Sequence, residues 1–341
     1  MKKLGVMNSG EDVFEFVLKT RSGMSLSALS YGGIITHLFV PDREGILRDI
    51  VLGKPTWESY VQGHPWMGAI TGRVAGRISD AVFSLNGQTY PLEANQAPHH
   101  LHGGSEALDK KVWRGELGSD ADGSPQLSLS YTSPDGEAGY PGEAKLLTRY
   151  TLTEGGELII DFEAEVDQVT PLALTQHLYF NLNGAGQGTV HDHILQLDCS
   201  HYIPMDERMG LTGQVTSVEN TSNDFQQAKR VGDALPSLFH QHGEMYLTSS
   251  SKGELARVGS LYSPLTGISM EVESTTRCVQ LYTGCGLSNE LGKGDNYYEP
   301  FSGLCLECQG YPNALRHPWV DQILVKPTAR YRERTVYRFT N

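Results

Sequence analysis

Short runs in which apolar and polar residues alternate, separated by turn residues, dominate this sequence. From position 158 to 166, apolar residues occupy every second position, and mostly acidic residues lie between them. Successive side chains of a β-strand point to opposite faces, so this alternation predicts a half-buried strand. Helical periodicity is rare, and we expect short helices at residues 56–61 and 224–229.

Turn sequences predict hairpins at three places. Asn86-Gly87 lies between two short strand-like runs, and both residues accept the positive φ of a type I′ turn. Residues 154–156, Glu-Gly-Gly, separate two longer runs in the same way, and residues 251–254 do so within residues 247–263. No Pro- or Ser-rich linker, charge block or repeat of fixed period divides the chain. We therefore expect an all-β fold, a large antiparallel β-sandwich in which residues 1–341 form a single domain.

Composition narrows the class of function. The 341 residues include 40 acidic and 27 basic residues, and the resulting net charge of −13 repels the phosphate backbone of nucleic acids. There is no apolar run of signal-peptide length and no stretch near the roughly 20 apolar residues of a membrane span. Five cysteines are few and odd in number, which favours reduced thiols. We expect a cytoplasmic monomer or homodimer with no nucleic-acid or membrane partner.

Residues 171–182 are predicted to form a strand with one apolar and one polar face. The even positions are leucines and a phenylalanine, with Gln176 as the exception, whereas the odd positions include His177, Tyr179 and Asn181. Such a row of hydrogen-bonding side chains is unusual in a purely structural strand. On this strand alone, a partly exposed surface histidine explains His177 equally well.

Two further strands show the same division. Residues 303–310 place Glu307 opposite leucines, and residues 278–283 place Gln280 and Tyr282 opposite apolar side chains. Burial of a carboxylate without a partner is unfavourable, and it raises the pKa of the carboxylate toward the range of a general base. The three polar rows together predict the floor of a sugar-binding site.

Arginines and histidines lie in two glycine-containing stretches. Arg73 and Arg77 are four residues apart, a pair suited to binding sugar hydroxyls or a carboxylate. Pairing with surface acids explains Arg73 almost as well and Arg77 less well. His99, His100 and His102 share the second stretch, a loop.

Six ordered motifs, between about residues 68 and 312, carry a resemblance to a known family. They are Gly72-Arg73-x-x-x-Arg77-Ile78; Leu101-His102-Gly103-Gly104 with Asp109-Lys110 and Trp113; Ser133-Pro134-Asp135-Gly136-Glu137-x-Gly139-Tyr140-Pro141-Gly142; Thr175-x-His177-x-Tyr179-Phe180-Asn181-Leu182; Gln280-x-Tyr282-Thr283-Gly284; and Leu306-Glu307-x-Gln309-x-Tyr311-Pro312. Together they resemble the aldose 1-epimerase (galactose mutarotase) family. A single such motif would be a weak signal, but six in family order are a strong one.

The resemblance implies a β-supersandwich with an open cleft, and a mutarotase that interconverts the α and β anomers of a free aldohexose such as galactose or glucose. It implies Glu307 as the general base and His177 as the general acid, with Arg77, His102 and Gln280 contacting the sugar. The base removes the C1 hydroxyl proton while the acid protonates the ring oxygen, so no cofactor is expected. We also expect a nearby carboxylate or hydrogen bond to raise the pKa of His177.

Departures from the family pattern concern the sugar more than the chemistry. At two positions where the family usually has Asn, this chain has Gly76 and Gln176. The Asp-His-x-Phe motif, whose Asp binds sugar hydroxyls, has no clean match in residues 240–247. We expect Glu244 to replace that Asp, with His242 as the alternative. The identity of the sugar stays open.

Other interpretations remain. The histidines of residues 98–104, or His191 and His193, are candidate metal ligands, although histidine-rich loops are more often solvated and we expect no metal. Cys305 and Cys308 suggest a redox pair, but on a strand their side chains point to opposite faces. A non-catalytic carbohydrate-binding or regulatory protein needs no acid–base pair. A mutarotase for a modified or phosphorylated sugar should carry a further basic cluster.

Overall fold

Antiparallel strands dominate the computed structural model, which describes residues 1–251, 253–317, 319 and 322–341. The described part contains two short α-helices, α1 (Trp57–Gln62) and α2 (Val231–Ala234). The strands in chain order are β1 (Lys2–Val6), β2 (Asp12–Lys19), β3 (Ser25–Leu29), β4 (Ile35–Pro41), β5 (Leu47–Asp49), β6 (Ile70–Thr71), β7 (Arg77–Ile78), β8 (Val82–Leu85), β9 (Gln88–Pro91), β10 (His100–Leu101), β11 (Arg114–Ser119), β12 (Pro125–Ser133), β13 (Ala144–Leu152), β14 (Glu157–Val166) and β15 (Thr170–Pro171). They continue with β16 (Thr175–Gln176), β17 (Ile194–Leu197), β18 (His201–Ile203), β19 (Thr216–Ser217), β20 (Lys229–Arg230), β21 (Met245–Leu247), β22 (Ala256–Tyr262), β23 (Ser269–Ser274), β24 (Cys278–Tyr282), β25 (Glu290–Leu291), β26 (Tyr297–Tyr298), β27 (Cys305–Gln309), β28 (Leu324–Val325) and β29 (Tyr331–Thr340).

Three large sheets carry the fold. The largest has nine strands in the order β11-β12-β13-β14-β29-β23-β22-β17-β20, and the strands β1 to β5 form a five-stranded sheet in sequence order. A second five-stranded sheet has the order β19-β18-β21-β24-β27, and the remaining strands form two-stranded pairs. The C-terminal strand β29 lies between β14 and β23, near the middle of the largest sheet. These antiparallel sheets confirm the predicted all-β sandwich.

One apolar core connects the three sheets. Ile160 of the nine-stranded sheet, Leu38 of the first five-stranded sheet and Leu306 of the second belong to the same buried cluster. Because β24 and β27 direct alternate residues into this cluster, their remaining side chains lie on the opposite face of the sheet. That opposite face carries Gln280 and Glu307.

Two of the three predicted hairpins are confirmed. The third, around residues 251–254, is wrong, because β21 pairs with β18 and β24 whereas β22 pairs with β17 and β23 in another sheet; residue 252 of its turn lies outside the described residues. β8 and β9 pair around Asn86-Gly87, where φ is +52° and +80°, the left-handed region that the turn requires. β13 and β14 pair along nine positions on either side of residues 153–156. The first predicted helix is also present as α1, whose first turn is capped by the Thr56 hydroxyl accepting from the Ser59 N–H at 3.3 Å.

The prediction of a second helix at residues 224–229 is wrong. The Asp224 carboxylate accepts a hydrogen bond from the Gln226 N–H at 3.0 Å, which forms a local turn in place of a helical start. Lys229 then pairs with Leu195 at the edge of the nine-stranded sheet, which holds the chain extended. The helix α2 begins only at Val231. None of the described helices has the length and apolar character needed to cross a membrane.

The prediction of one continuous strand over residues 171–182 is wrong. This stretch forms two short strands and isolated bridges. β15 and β16 each contain two residues, Ala173 forms one isolated bridge and Phe180 forms two. All the residues of this stretch are buried, because it runs through the interior with protein on both sides. Its backbone groups therefore bond to several loops in turn; the N–H of His177, for example, donates to the carbonyl of Ala69 at 2.9 Å.

Candidate active site

A cleft of about 370 Å³ lies over the outward face of β24 and β27. Its lining includes Arg77, His102, His177, Gln280 and Glu307, which come from distant parts of the chain. These are five of the six residues that the sequence predicts for a sugar site. The fold therefore brings the predicted catalytic pair and three predicted sugar-contacting residues into one cavity.

Strand pairing fixes the position of Glu307. It lies directly opposite Gln280 in the β24–β27 pair, while the neighbouring pair Leu281 and Leu306 faces the core. The side chain of Glu307 is only 4% exposed, and its Oε2 atom accepts no hydrogen bond from any described residue. A buried carboxylate oxygen without a donor is unusual in a folded protein, and it marks Glu307 as a group held for another purpose.

His177 lies beside this free oxygen. The distance from His177 Nε2 to Glu307 Oε2 is 3.6 Å. The imidazole packs against the ring of Tyr179, with centroids 5.0 Å apart, and its Nδ1 is 3.7 Å from the sulfur of Cys305. The two groups can therefore act on neighbouring atoms of one small ligand.

Burial dominates the ionisation of this pair. Removal from water raises the pKa of Glu307 to about 8, against the opposing charge of Arg77, and lowers the pKa of His177 to about 3. The expectation that the pKa of His177 is raised is therefore wrong. A carboxylate does lie 3.6 Å away, but the loss of hydration is the largest influence on the pKa of His177, and it outweighs a backbone hydrogen bond that acts in the opposite direction. Between these limits the pair holds a single proton.

The backbone of Gly76 orients His102. The Gly76 N–H donates to Nδ1 of His102 at 3.1 Å, so the neutral ring carries its proton on Nε2. Burial lowers the pKa of His102 well below its usual value, which keeps the ring neutral. A Cβ atom at Gly76 would lie 2.7 Å from the ring of Pro312. The glycine thus fits its packing, and its main-chain N–H holds the His102 ring.

The two predicted arginines have different roles. Arg77 lines the cleft, and its Nε donates to the side chain of Gln96 at 2.6 Å. Arg73 is buried away from the cleft and donates to the hydroxyl and carbonyl of Ser133, both at 2.9 Å, and to the carbonyl of Pro141 at 3.0 Å. Arg73 therefore neither binds sugar nor pairs with a surface acid, but stabilises the 133–141 loop.

The prediction that Glu244 binds the sugar is wrong. Met245 faces Gln280 across the β21–β24 pair and lines the cleft, so the preceding residue points the other way. The buried carboxylate of Glu244 accepts from the Met205 N–H at 3.1 Å. His242, the alternative, does line the cleft.

Several lining residues were not predicted, and the largest is Trp66. Its ring centroid lies 4.8 Å from that of His102 and 6.4 Å from that of His177, so the indole forms one wall of the cleft. Met205 and Met209 are further examples, and both come from irregular loops. A loop has no periodicity that would indicate which of its side chains point inward. A tryptophan directly after Pro65 was the one available signal, because rigid aromatic rings in loops commonly form binding walls.

The candidate metal ligands of the sequence are used differently. The rings of His99, His100 and His193 are each hydrogen-bonded to backbone groups. One group of described residues has ligand atoms within 4.8 Å of one another, as a metal ion would require: His102, His177 and Glu307. These are the groups that acid–base chemistry also needs. Cys305 and Cys308 are free thiols, and they belong to different buried clusters on opposite faces of β27, as predicted.

A larger cavity, of about 480 Å³, lies elsewhere, beside Tyr331 and Glu333. Tyr331 donates a hydrogen bond to the Glu333 carboxylate, so that acid already has a partner. The smaller cleft is the better candidate for chemistry, because it contains the unpartnered carboxylate and the facing imidazole.

Comparison with known proteins shows which sequences and folds this chain is similar to. The sequence profile of the family described as aldose 1-epimerase matches residues 15–338. Galactose mutarotase of Rattus norvegicus is 37% identical over 339 residues, which cover 98% of this chain and 97% of the rat protein. The crystal structure of an aldose epimerase homologue from C. elegans has a TM-score of 0.87 at 26% identity, covering 96% of this chain and 99% of that one. Galactose 1-epimerase from Lactobacillus acidophilus has a TM-score of 0.85 at 25% identity, covering 99% of this chain and 97% of that one.

Proposed function

Since this chain belongs to the aldose 1-epimerase family, we propose that it interconverts the α and β anomers of a free aldohexose with His177 as general acid and Glu307 as general base. The observation that carries the assignment is the 3.6 Å separation of His177 Nε2 and the unpartnered Glu307 Oε2 in the cleft. Galactose is the first substrate to test, because the rat relative is a galactose mutarotase.

Ring opening uses both groups at once. Glu307 removes the proton of the C1 hydroxyl, a C1=O double bond forms, and the C1–O5 bond breaks with its electron pair moving to O5. His177 donates its proton to O5, which becomes a hydroxyl. Rotation about C1–C2 presents the other face of the aldehyde, and reversal of both transfers closes the ring to the other anomer. The pair begins and ends each cycle with one proton.

Burial places the single proton of the pair on Glu307, and the proposed cycle needs it on His177. A pair that holds a single proton supplies one acid and one base without exchange with solvent. The charge of Arg77 already lowers the pKa of Glu307 relative to burial alone. A C1 hydroxyl that donates to the carboxylate stabilises its ionised form further, and the proton then resides on His177.

Two other residues complete the site. The neutral ring of His102 presents an Nε2–H donor, because its Nδ1 accepts from the Gly76 backbone. Arg77 supplies further donors and a positive charge that lowers the pKa of Glu307. In a buried site such fixed donors stabilise the charge that develops on sugar oxygens during ring opening.

The test is the rate of anomer exchange, followed by polarimetry or NMR, for galactose, glucose and their 6-phosphates. We expect the purified protein to exceed the buffer rate with a free aldose and to act poorly on the phosphates, because Arg77 is the one arginine or lysine among the described lining residues. His177→Asn should lower kcat by about 10²- to 10⁴-fold, the usual contribution of a general acid.

The exposed His201, changed to Asn, serves as the matched control and should leave the rate unchanged. If no sugar exchanges faster than in buffer, or if His177→Asn retains the full rate, the assignment is wrong. Binding of sugar without acceleration would favour a carbohydrate-binding protein instead.

A further inference from the structure

Cys305 is a buried thiol beside the proposed acid–base pair, and no step of the proposed reaction uses it. It lies two positions before Glu307 on β27, so both side chains project from the same face of that strand. The sulfur of Cys305 is 3.7 Å from Nδ1 of His177, and Oε2 of Glu307 is 3.6 Å from Nε2 of the same ring. One strand therefore contacts both nitrogens of the imidazole.

The surroundings of Nδ1 determine which nitrogen of His177 carries the proton. Burial lowers the pKa of His177 to about 3, so the ring is neutral near pH 7, and a hydrogen bond to the backbone carbonyl of His177 itself acts in the opposite direction. Of the two ring nitrogens, only Nδ1 is close enough to its own backbone to make this bond. A carbonyl oxygen only accepts, so Nδ1 is the donor. Nε2 consequently has the lone pair, on the side of Glu307.

The ionisation of Cys305 determines its part in the contact. Burial and the charge of Glu307 raise the pKa of the thiol well above its usual value, so Cys305 is neutral at pH 7. A neutral thiol offers a weak S–H donor and a weakly accepting sulfur. Because Nδ1 already carries a proton, the sulfur is the acceptor in its contact with His177.

A weak acceptor at Nδ1 suits a general acid. A carboxylate at this place would stabilise the imidazolium and raise its pKa, so that the ring would release its proton less readily. A neutral sulfur holds the ring and its tautomer without adding a charge. The imidazolium of His177 that forms during the reaction therefore stays a strong acid toward the ring oxygen of the sugar.

We propose that Cys305 is a positioning residue whose sulfur accepts a hydrogen bond from Nδ1–H of His177 and thereby keeps the Nε2 lone pair directed at Glu307. The inference rests on the proposed function and extends it to how the acid is held. Nε2 takes up the single proton of the pair from Glu307 when the sugar binds, donates it to O5 on ring opening and recovers it on closure. Nδ1 keeps its own proton throughout, so every transfer uses the same nitrogen.

The two thiols of β27 allow a matched experiment. Cys305→Ala and Cys308→Ala each remove one buried sulfur from the same strand, but Cys308 lies on the opposite face, in the main core. Cys305→Ser keeps an acceptor in place. Anomer exchange with galactose gives kcat and KM, and urea denaturation gives the stability of each variant. The histidines are labelled with 15N and observed by NMR at pH 7 without sugar, where the signals absent from His177→Asn are those of His177.

We expect Cys305→Ala to lower kcat about three- to tenfold, the range for loss of one neutral hydrogen bond, with KM within about twofold. Cys305→Ser should restore most of the rate. Cys308→Ala should leave kcat unchanged even where it lowers stability as much as Cys305→Ala does. In the wild-type spectrum Nδ1 of His177 should be protonated and Nε2 unprotonated, and in Cys305→Ala part of the population should shift to the other tautomer.

A wild-type spectrum with the proton of His177 on Nε2 overturns the inference, because the thiol would then be the donor. This measurement does not depend on the folding of any Cys305 variant. Equal losses of kcat in Cys305→Ala and Cys308→Ala also overturn it, as do His177 signals that Cys305→Ala leaves unchanged. Failure of the proposed function is a separate result, in which the wild-type protein accelerates no sugar whatever tautomer it shows.

Discussion

The strands β14 and β27 have the same alternation in sequence, but their acidic residues lie in opposite environments in the fold. In β14 the acidic positions face solvent at the outer surface of the nine-stranded sheet. There Asp161 accepts from Arg334 at 2.6 Å, and Glu163 accepts from Arg149 at 2.6 Å. In β27 all five residues are buried, and the acid Glu307 has an oxygen without a donor.

This difference in burial and hydrogen bonding distinguishes carboxylates that form surface ion pairs from a carboxylate that is suited to proton transfer. A half-exposed acid that is paired with arginine is stable as an anion and contributes little to the free energy of unfolding. A buried acid with an unsatisfied oxygen is unfavourable as an anion, and its pKa moves toward the pH at which it can exchange a proton. The hydrogen-bond partners, and not the alternation, therefore distinguish the carboxylate that we propose for the reaction from those of the outer surface.

Exchange of the carboxylate for an amide on each strand gives the sharpest test of this contrast. Glu307→Gln should lower kcat by about 10²- to 10⁴-fold, because the amide cannot accept the C1 hydroxyl proton. Asp161→Asn is the matched change on β14 and should leave kcat unchanged. Anomer exchange measured by NMR compares the two variants. Equal activities would remove the distinction between the strands.

Stability should change in the opposite sense to activity. Burial raises the pKa of Glu307 from 4.5 to about 8, so the folded state binds more protons than the unfolded state between these values. Its contribution to stability is complete below about pH 4.5 and is lost as the pH rises through about 8. Relative to Glu307→Gln, the wild-type protein should lose roughly 1–3 kcal/mol across this window. Urea denaturation at pH 5 and pH 9 measures the difference.

The pH dependence of the rate gives a further test of the contrast between the two strands. Above about pH 8 the His177–Glu307 pair loses its single proton and no general acid remains. We expect kcat/KM to be nearly constant from pH 5 to 7 and to fall about tenfold per pH unit above the upper pKa. A rate that increases steadily to pH 10 would show that Glu307 titrates normally and resembles the acids of β14.

The smallest effect is expected on the outer ladder. Arg334→Ala removes the half-exposed ion pair with Asp161 and should lower the free energy of unfolding by at most about 1 kcal/mol. Both kcat and KM should remain within experimental error of the wild type. Chemical denaturation provides the measurement, and a loss above 2 kcal/mol would mean that the outer pairs are more than solvated surface contacts.

Local sequence patterns predicted the strands best where one face meets water. The hairpins at Asn86-Gly87 and between β13 and β14 follow from turn residues and alternation. Residues 171–182 show the limit of this reasoning. Their alternation is real, but both faces are buried, so the backbone bonds to several loops and no continuous ladder forms.

The site was predictable where its residues lie on or beside strands, and less so in loops. His177 and Glu307 lie within motifs that fix their surroundings, whereas Trp66 and Met209 depend on how distant loops fold over the sheet. Glu244 was misplaced by one position of strand alternation, because its neighbour Met245 faces the cleft.

The ionisation of His177 was the part that the sequence could not provide. A neighbouring carboxylate was expected to raise the pKa of the imidazole, and that neighbour is present at 3.6 Å. The sequence does not show how completely Tyr179 and the surrounding residues exclude water. Burial depends on the packed whole, and it determines the sign of the pKa shift.

The backbone at Gly243 has a consequence for how this enzyme can diversify. No side chain fits there without displacing the Leu281 carbonyl, and that displacement would also move the adjacent imidazole of His242. A substitution at position 243, outside the cleft lining, would therefore change the shape of the cleft through the backbone of β24. The freedom of position 243 to vary is thus limited by the cleft, although the residue itself does not line it.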